Sequence, residues 1–152
     1  MRDASGNLRV MDRRAPRSRR SDCPISVALE LIGDEWSLLI VRDLMFKGKK
    51  SFQEFSDAGE RIASNVLTDR LARLETAGIL TRRRDPEDGR RWIYTLTEKG
   101  IDLAPVLVEI VLWSARHEDT AAPAEVVEAM RKRRPQFLRE VREGWLAAGG
   151  AG

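Results

Sequence analysis

The chain has 152 residues, of which 42% are hydrophobic and 34% are charged, and its formal net charge is +3 at pH 7. This length allows one compact domain with appended helices, and no apolar run approaches the ~18 residues of a membrane span. A single cysteine and a single histidine exclude an intrachain disulfide and a Cys/His zinc site, so no metal or other cofactor is expected. The basic N-terminus lacks the apolar stretch of a secretory signal, and the cytoplasm is the expected compartment.

The positive charge is concentrated at the N-terminus. Residues 1–20 hold seven arginines against Asp3 and Asp12, or +5, while the other 132 residues hold 20 basic and 22 acidic side chains, or −2. Few large apolar residues and no periodicity predict a disordered basic arm over 1–22. Three roles for this arm stay open: a minor-groove or phosphate tether, a non-specific electrostatic guide, or a solvated start without function.

The apolar spacing after the arm predicts three short helices. A proline fits the first position of the first helix, and the third has two phenylalanines three residues apart on one face. The first helix is predicted over Pro24–Gly33, with Asp22 or Cys23 as its cap. The second is predicted from about Glu35 to the turn at 47–50, and the third from Ser51 to a break at Gly59.

A fourth helix and a hairpin follow. The helix opens at Ala63 or Ser64 and runs to about Ala77, with Gly78 just past its end. Strands over 79–84 and 92–96 are joined by DPEDG, which is typical of a tight turn. The remaining predicted elements are one long helix from the Thr97 cap to about His117, loosened at Gly100 and Pro105, and helices over 124–133 and 136–147 divided by Pro135.

Two short helices meeting at a turn and followed by a hairpin indicate a winged helix-turn-helix. The predicted fold class is therefore mainly α with a small β-hairpin, plus a long dimerisation helix and extra C-terminal helices. The predicted divisions of the chain are the arm at 1–22, the winged domain at 23–117 and a helical extension at 118–152.

The polar side of the helix at 64–77 is the first candidate DNA-binding surface. Leu67, Leu71 and Leu74 form an inward stripe, and the opposite side carries short hydrogen-bonding groups that fit a major groove. In helix-turn-helix docking the N-terminal residues of this helix approach the bases. The predicted contacts are Ser64, Asn65, Thr68 and Asp69, with Arg73 contacting a phosphate or a base. Asp69 either accepts a hydrogen bond from cytosine or orients Arg73, and an ordinary solvated helix face is the alternative for the whole set.

Five arginines flank the DPEDG turn, at positions 82–84 and 90–91. Because strand residues alternate sides, Arg82 and Arg84 share one face and Arg83 takes the other. Arg90 and Arg91 are best placed for phosphate or minor-groove contact, and Arg83 is a further candidate. The acidic residues of the turn partly offset this charge or mainly shape the turn.

The same residues resemble a known family. The stretches CPISVALELIGDEWSLLIVRDLMFKGKKSFQEF, IASNVLTDRLARLETAGIL and DGRRWIYTLTEKGIDLAPVL are similar to HxlR-type winged helix-turn-helix transcription regulators. The resemblance covers about 95 residues, from Cys23 to His117. It implies a homodimeric DNA-binding regulator that reads DNA with the helix at 64–77 and the hairpin at 82–91. It gives no guidance for the arm or for the chain after 120.

The segment 101–113 is apolar around most of its circumference, with only Asp102 and Glu109 charged. Such a helix needs cover on more than one side, which a twofold partner provides. The predicted interface residues are Val106, Leu107, Ile110, Val111 and Trp113, together with the first helix. The alternative is that the C-terminal helices fold back over the same monomer. Dimerisation predicts a pseudo-palindromic operator.

Cys23 precedes Pro24 at a helix N-terminus, where the helix dipole favours the thiolate. Some HxlR-like regulators respond to oxidants or electrophiles through a cysteine in this arrangement, which makes Cys23 a candidate redox residue. The alternative is a buried, inert side chain.

An enzyme is not expected. The lone His117 has no second histidine to build a catalytic or metal site with, and no glycine-rich phosphate loop is present. The predicted function is sequence-specific regulation of transcription on double-stranded DNA, with a small-molecule effector left open. The alternative is a winged-helix adaptor that binds a protein partner. Repression and activation are not distinguished by the sequence.

Overall fold

The computed structural model describes residues 18–150, which form eight helices and one antiparallel hairpin. Most of the predicted arm therefore lies outside the described residues. The elements confirm the predicted fold class, a mainly helical chain with a small hairpin after the fourth helix. In chain order they are α1 (Pro24–Ile32), α2 (Ser37–Phe46), α3 (Phe52–Ser56), α4 (Ser64–Thr76), β1 (Leu80–Arg84), β2 (Trp92–Leu96), α5 (Glu98–Ile101), α6 (Ala104–His117), α7 (Ala124–Lys132) and α8 (Arg134–Ala147).

The helix ends follow local chemistry. Ser51 caps α3 in a capping box, in which its hydroxyl accepts from the Glu54 N–H and the Glu54 carboxylate accepts from the Ser51 N–H. At the other end of the helix-turn-helix, α4 stops before Gly78, whose φ of +70° lies in the left-handed region that glycine adopts without strain. The Ser51 cap explains where α3 begins, and Gly78 explains why α4 ends close to its predicted limit.

The core lies between α2, α3, α4 and the hairpin. Val41, Leu67 and Leu74 are fully buried, and Phe55 packs edge-on against Tyr94 with ring centroids 5.9 Å apart. The leucine stripe of α4 is therefore its inward face, as the spacing predicts. This packing fixes which side of α4 is left to solvent.

The predicted long helix, expected to be loosened at Gly100 and Pro105, is divided into two helices, α5 and α6, with a break at Asp102 and Leu103. Pro105 has no N–H to donate to the carbonyl four residues earlier, so a continuous helix is interrupted there. Gly100 has a packing role instead of loosening the helix. A Cβ at this position would lie 2.1 Å from the Ile79 carbonyl oxygen, so only glycine allows α5 to approach the start of β1.

Three smaller boundaries also differ from the sequence prediction. The second helix begins at Ser37, because the Asp34 carboxylate accepts from the Trp36 and Ser37 N–H groups just before it. The third ends at Ser56, ahead of Gly59. Pro135 lies in the first turn of α8, where a missing N–H costs nothing, and the division from α7 falls at Arg133.

The C-terminal helices pack back on the winged domain. The Trp145 indole N–H donates to the Leu96 carbonyl oxygen at the end of β2 (2.8 Å), and Arg142 pairs with Glu98 and Asp102 at 2.6 and 3.1 Å. Phe137 packs on Phe46 of α2 with ring centroids 6.2 Å apart. The C-terminal helices therefore fold back on the same monomer: α7 packs against α6, and α8 supports the base of the hairpin and one side of α2.

Candidate nucleic-acid interface

The polar side of α4 is open to solvent. Ser64, Asn65, Thr68 and Arg73 are exposed and Asp69 is half-buried, while the leucines of the same helix are buried beneath them. The Thr68 hydroxyl donates to the Ser64 carbonyl oxygen at 2.9 Å, which fixes its rotamer and leaves its oxygen able to accept. The structure thus brings all five predicted residues of this helix to one accessible side.

Asp69 is held by two arginines of its own helix. Its carboxylate accepts from Arg70 Nη1 at 2.8 Å and lies 3.9 Å from Arg73 Nη1. The shorter contact is to Arg70, a residue that sequence reasoning did not single out. Arg70 Nε in turn lies 3.0 Å from an oxygen of Asp34, in the α1–α2 turn.

The hairpin divides its five arginines into two groups. Trp92 is paired with Arg84 in the strand register, and the guanidinium groups of Arg82 and Arg84 lie 4.3 and 3.8 Å from the centre of its ring. Arg82 also pairs with Glu75 of α4 at 3.2 Å. The stacked pair fills one face of the hairpin, so Trp92 has a structural role that the strand register could have indicated.

The other three arginines, Arg83, Arg90 and Arg91, are exposed. Within residues 18–150, Arg83 and Arg90 form no ion pair. Arg91 forms one long ion pair, with its Nε 3.9 Å from Asp85. The turn aspartates bind backbone, with Asp85 accepting from the Glu87 N–H and Asp88 from the Arg90 N–H. The acidic residues therefore mainly shape the turn, and three guanidinium groups are left to solvent.

Cys23 is exposed at the N-terminus of α1, and is therefore not buried as the alternative to a redox role expected. Hydrogen bonds from the Ser26 and Ile25 backbone N–H groups to the sulfur lower the pKa of the thiol, because they stabilise the thiolate. The side chain combines accessibility with increased thiolate character.

Helices α1 and α6 both expose apolar side chains to solvent. None of the residues of α1 is buried, and Ile25 and Leu29 are 71% and 57% exposed. On α6, Val106, Ile110 and Trp113 are exposed, with Trp113 at 63%, and Val111 is half-buried. Leu107 was predicted to lie in the dimer interface, but it is 6% exposed and lies in the core of its own chain.

A groove of about 350 Å³ separates α6 from α7. His117 stays exposed, and its ring packs against Trp113 with centroids 5.4 Å apart. The charged and apolar side chains that line the groove include Leu112, Trp113, Arg116, His117, Val127 and Arg131.

Between residues 18 and 150 no group of three or more His, Cys, Asp or Glu side chains is arranged to hold a metal ion. None of the described helices has the length and apolar character to cross a bilayer.

A helix-turn-helix whose second helix exposes a polar side, followed at once by a basic hairpin, defines a winged-helix protein. A family model described as HxlR-like helix-turn-helix matches residues 31–122, and the chain belongs to this family. The protein is accordingly a transcriptional regulator of the winged-helix type, and no catalytic family is indicated.

The relatives agree with this assignment. The chain is 40% identical over 86 residues to the HTH-type transcriptional regulator sll1512 of Synechocystis sp., a match over 57% of this chain and 63% of that relative, less than two thirds of its length. It is 39% identical over 93 residues to YodB of Bacillus subtilis, covering 60% of this chain and 82% of YodB. The redox regulator HypR, solved in its oxidised form, superimposes with a TM-score of 0.57 at 31% identity, covering 64% of this chain and all of HypR.

Proposed function

We propose that the protein is a homodimeric regulator that binds double-stranded DNA sequence-specifically. The observation that carries this proposal is the polar side of α4, left accessible by the burial of its leucine stripe and followed directly by three exposed arginines of the hairpin. In this arrangement α4 enters the major groove while the hairpin contacts the adjacent backbone.

Each residue has a proposed role in that complex. Ser64, Asn65 and Thr68 contact base edges, and Asn is suited to bidentate pairing with adenine. Arg73 reaches a phosphate or a guanine. Arg83, Arg90 and Arg91 contact phosphates or the minor groove, which supplies affinity and register without sequence information. Asp69, engaged by Arg70, orients its neighbours in preference to accepting from a base.

The homodimer is proposed to form through α1 and α6. The exposed side chains of Ile25, Leu29, Val106, Ile110 and Trp113 would otherwise leave a large apolar surface in water. A twofold axis would place two reading helices about 34–36 Å apart, one turn of B-DNA, and the operator would then be an imperfect palindrome. The cytoplasm, where such DNA lies, stays the expected compartment.

Oxidation or alkylation of Cys23 is the proposed signal. Support comes from its exposure and its lowered thiol pKa, and from the similarity to HypR, a redox regulator. Operator affinity should change after diamide treatment in the wild type and stay constant in Cys23→Ser. If wild-type affinity is unchanged, the sensor proposal fails. A response to a small molecule in Cys23→Ser would favour a ligand effector instead.

Genome-wide footprinting tests the central proposal, with the region upstream of the gene included. The wild type is expected to protect a small set of palindromic sites, and Asn65→Ala, which removes a base-reading amide from an exposed position, should lose them at similar thermal stability. Weak binding to all duplexes without steep salt dependence would instead favour the protein-interaction adaptor.

A further inference from the structure

The polar side of α4 is connected to the α1–α2 turn by four alternating charges. Asp34 lies beside Arg70 (Nε to Oδ1, 3.0 Å), Arg70 donates to Asp69 (2.8 Å), and Asp69 lies 3.9 Å from Arg73. The two outer members differ in exposure: Asp34 is mostly covered, and Arg73 faces solvent on the proposed reading side. The chain of contacts therefore runs from the half-buried turn between α1 and α2 to the exposed side of α4.

Asp34 is a rigid anchor for this chain. Its carboxylate accepts from the N–H groups of Trp36 and Ser37, each at 2.9 Å, and from the hydroxyl of Ser37, which is buried. Partial burial raises the pKa of Asp34, but the hydrogen bonds from Ser37 and Trp36 and the charge of Arg70 outweigh it and leave the pKa lowered. The carboxylate is thus ionised at neutral pH and fixed against the first turn of α2.

Arg70 depends on this anchor. Its side chain is mostly covered, and Nε has no acceptor in line with its N–H among the described residues, so the contact with Asp34 is an ion pair rather than an aligned hydrogen bond. A buried guanidinium nitrogen without an aligned acceptor is costly unless a nearby charge compensates it. Asp34 supplies that charge, and it holds the guanidinium where its other end meets Asp69.

We infer that Asp34 and Arg70 are positioning residues that set base discrimination. They hold Asp69 in its shorter contact with Arg70 (2.8 Å), so that Arg73, which lies 3.9 Å from Asp69, can turn to a base edge. This inference rests on the proposed function. Without Arg70, the only remaining cationic neighbour of Asp69 on α4 is Arg73, one helical turn away, and the i,i+4 ion pair would draw Arg73 from the groove. Neither Asp34 nor Arg70 lies on the exposed side, so neither contacts a phosphate.

The test compares Asp34→Asn and Arg70→Gln with the wild type. Asparagine keeps an oxygen that can accept from Trp36 and Ser37, so Asp34→Asn removes the charge and preserves the turn. Arg139→Gln is the control, because Arg139 is exposed on α8 and forms no ion pair within residues 18–150. The probes are duplexes that the wild type selects from a randomised pool, and a scrambled duplex of the same composition.

Both variants are expected to lose at least about fivefold in the ratio of selected to scrambled affinity, the lower end of what one base contact contributes. The salt slope should stay unchanged, because the contact that Arg73 loses on this inference is to a base edge and not to a phosphate. The double variant should lose no more than Arg70→Gln alone, since the two residues act through one contact, and Arg70→Lys should recover part of the ratio.

The outcomes separate the inference from the proposed function. A wild type that selects no sequence would overturn the proposed function itself. A wild type that selects a sequence, with variants that keep the same ratio, would overturn only the positioning role. Equal loss of affinity for both duplexes would also overturn it, because a merely structural defect weakens all binding alike. Asp34→Asn keeps the test valid should Arg70→Gln fail to fold.

Discussion

Replacing Arg90 and Arg91 by glutamine is expected to lower the salt dependence of DNA binding by a calculable amount. Both side chains are exposed at the hairpin turn, and within residues 18–150 only Arg91 forms an ion pair, a long one of 3.9 Å with Asp85. Each phosphate contact contributes about −0.9 to the slope of log K against log salt, so losing two contacts in each half of the proposed homodimer, four in all, reduces the slope by about 3.6. Between 50 and 200 mM salt, wild-type affinity should then fall roughly 150-fold more than that of the variant.

The hairpin provides its own matched control. Arg82→Gln/Arg84→Gln removes the same charge, but these guanidinium groups are stacked on Trp92 and Arg82 is paired with Glu75. Their loss should reduce thermal stability, since a cation–π contact contributes about 0.5–1 kcal/mol at an exposed site, and leave the slope nearly unchanged. Fluorescence anisotropy titrations at four salt concentrations measure the salt slope of both double variants, and thermal melts measure their stability. Equal slope changes in the two variants would refute the division of the arginines, and no change in Arg90→Gln/Arg91→Gln would refute phosphate contact by the turn.

Three further outcomes are expected. Ile110→Glu should shift the mass in light scattering from a dimer to the 17.2 kDa monomer, whereas Leu107→Ala should keep the dimer and lower the free energy of unfolding by about 2–5 kcal/mol; the reverse pattern would contradict the proposed interface. Gly100→Ala should prevent stable folding, which circular dichroism would detect, because its Cβ would meet a backbone carbonyl at 2.1 Å. The hydrogen bond from Arg42 lowers the pKa of Glu60 from 4.5 to about 2, so this pair should stabilise the fold above pH 4.5 and lose that contribution as the pH falls towards 2. The contribution is about 1 kcal/mol at most, since the Glu60 carboxylate is partly exposed, and Glu60→Gln should make unfolding less dependent on pH in this range.

The sequence predicted the winged helix-turn-helix well because its signals are local. The leucine spacing and Gly78 set the orientation and end of α4, and the DPEDG turn set the hairpin. The missing N–H of Pro105 predicted a loosened helix between Thr97 and His117, but the sequence alone did not show that the chain divides there into two separate helices. The contact between Asp34 and Arg70 joins residues far apart in the chain, and no periodicity or spacing reports a contact that only tertiary packing creates. The exposure of Cys23 was likewise beyond the sequence, since it depends on how α1 lies on the rest of the domain.

The tail of the chain closes over Trp145. A Cβ at Gly150 would meet the indole ring at 2.2 Å, so the last described residue lies flat on the side chain that hydrogen-bonds the end of β2. A purification handle fused after this tail would therefore displace Gly150 from Trp145 and weaken the support of the hairpin. DNA affinities measured with such a fusion would then be lower than those of the unmodified protein. A handle at the opposite terminus leaves the tryptophan covered, and it is the appropriate position for the binding comparisons above.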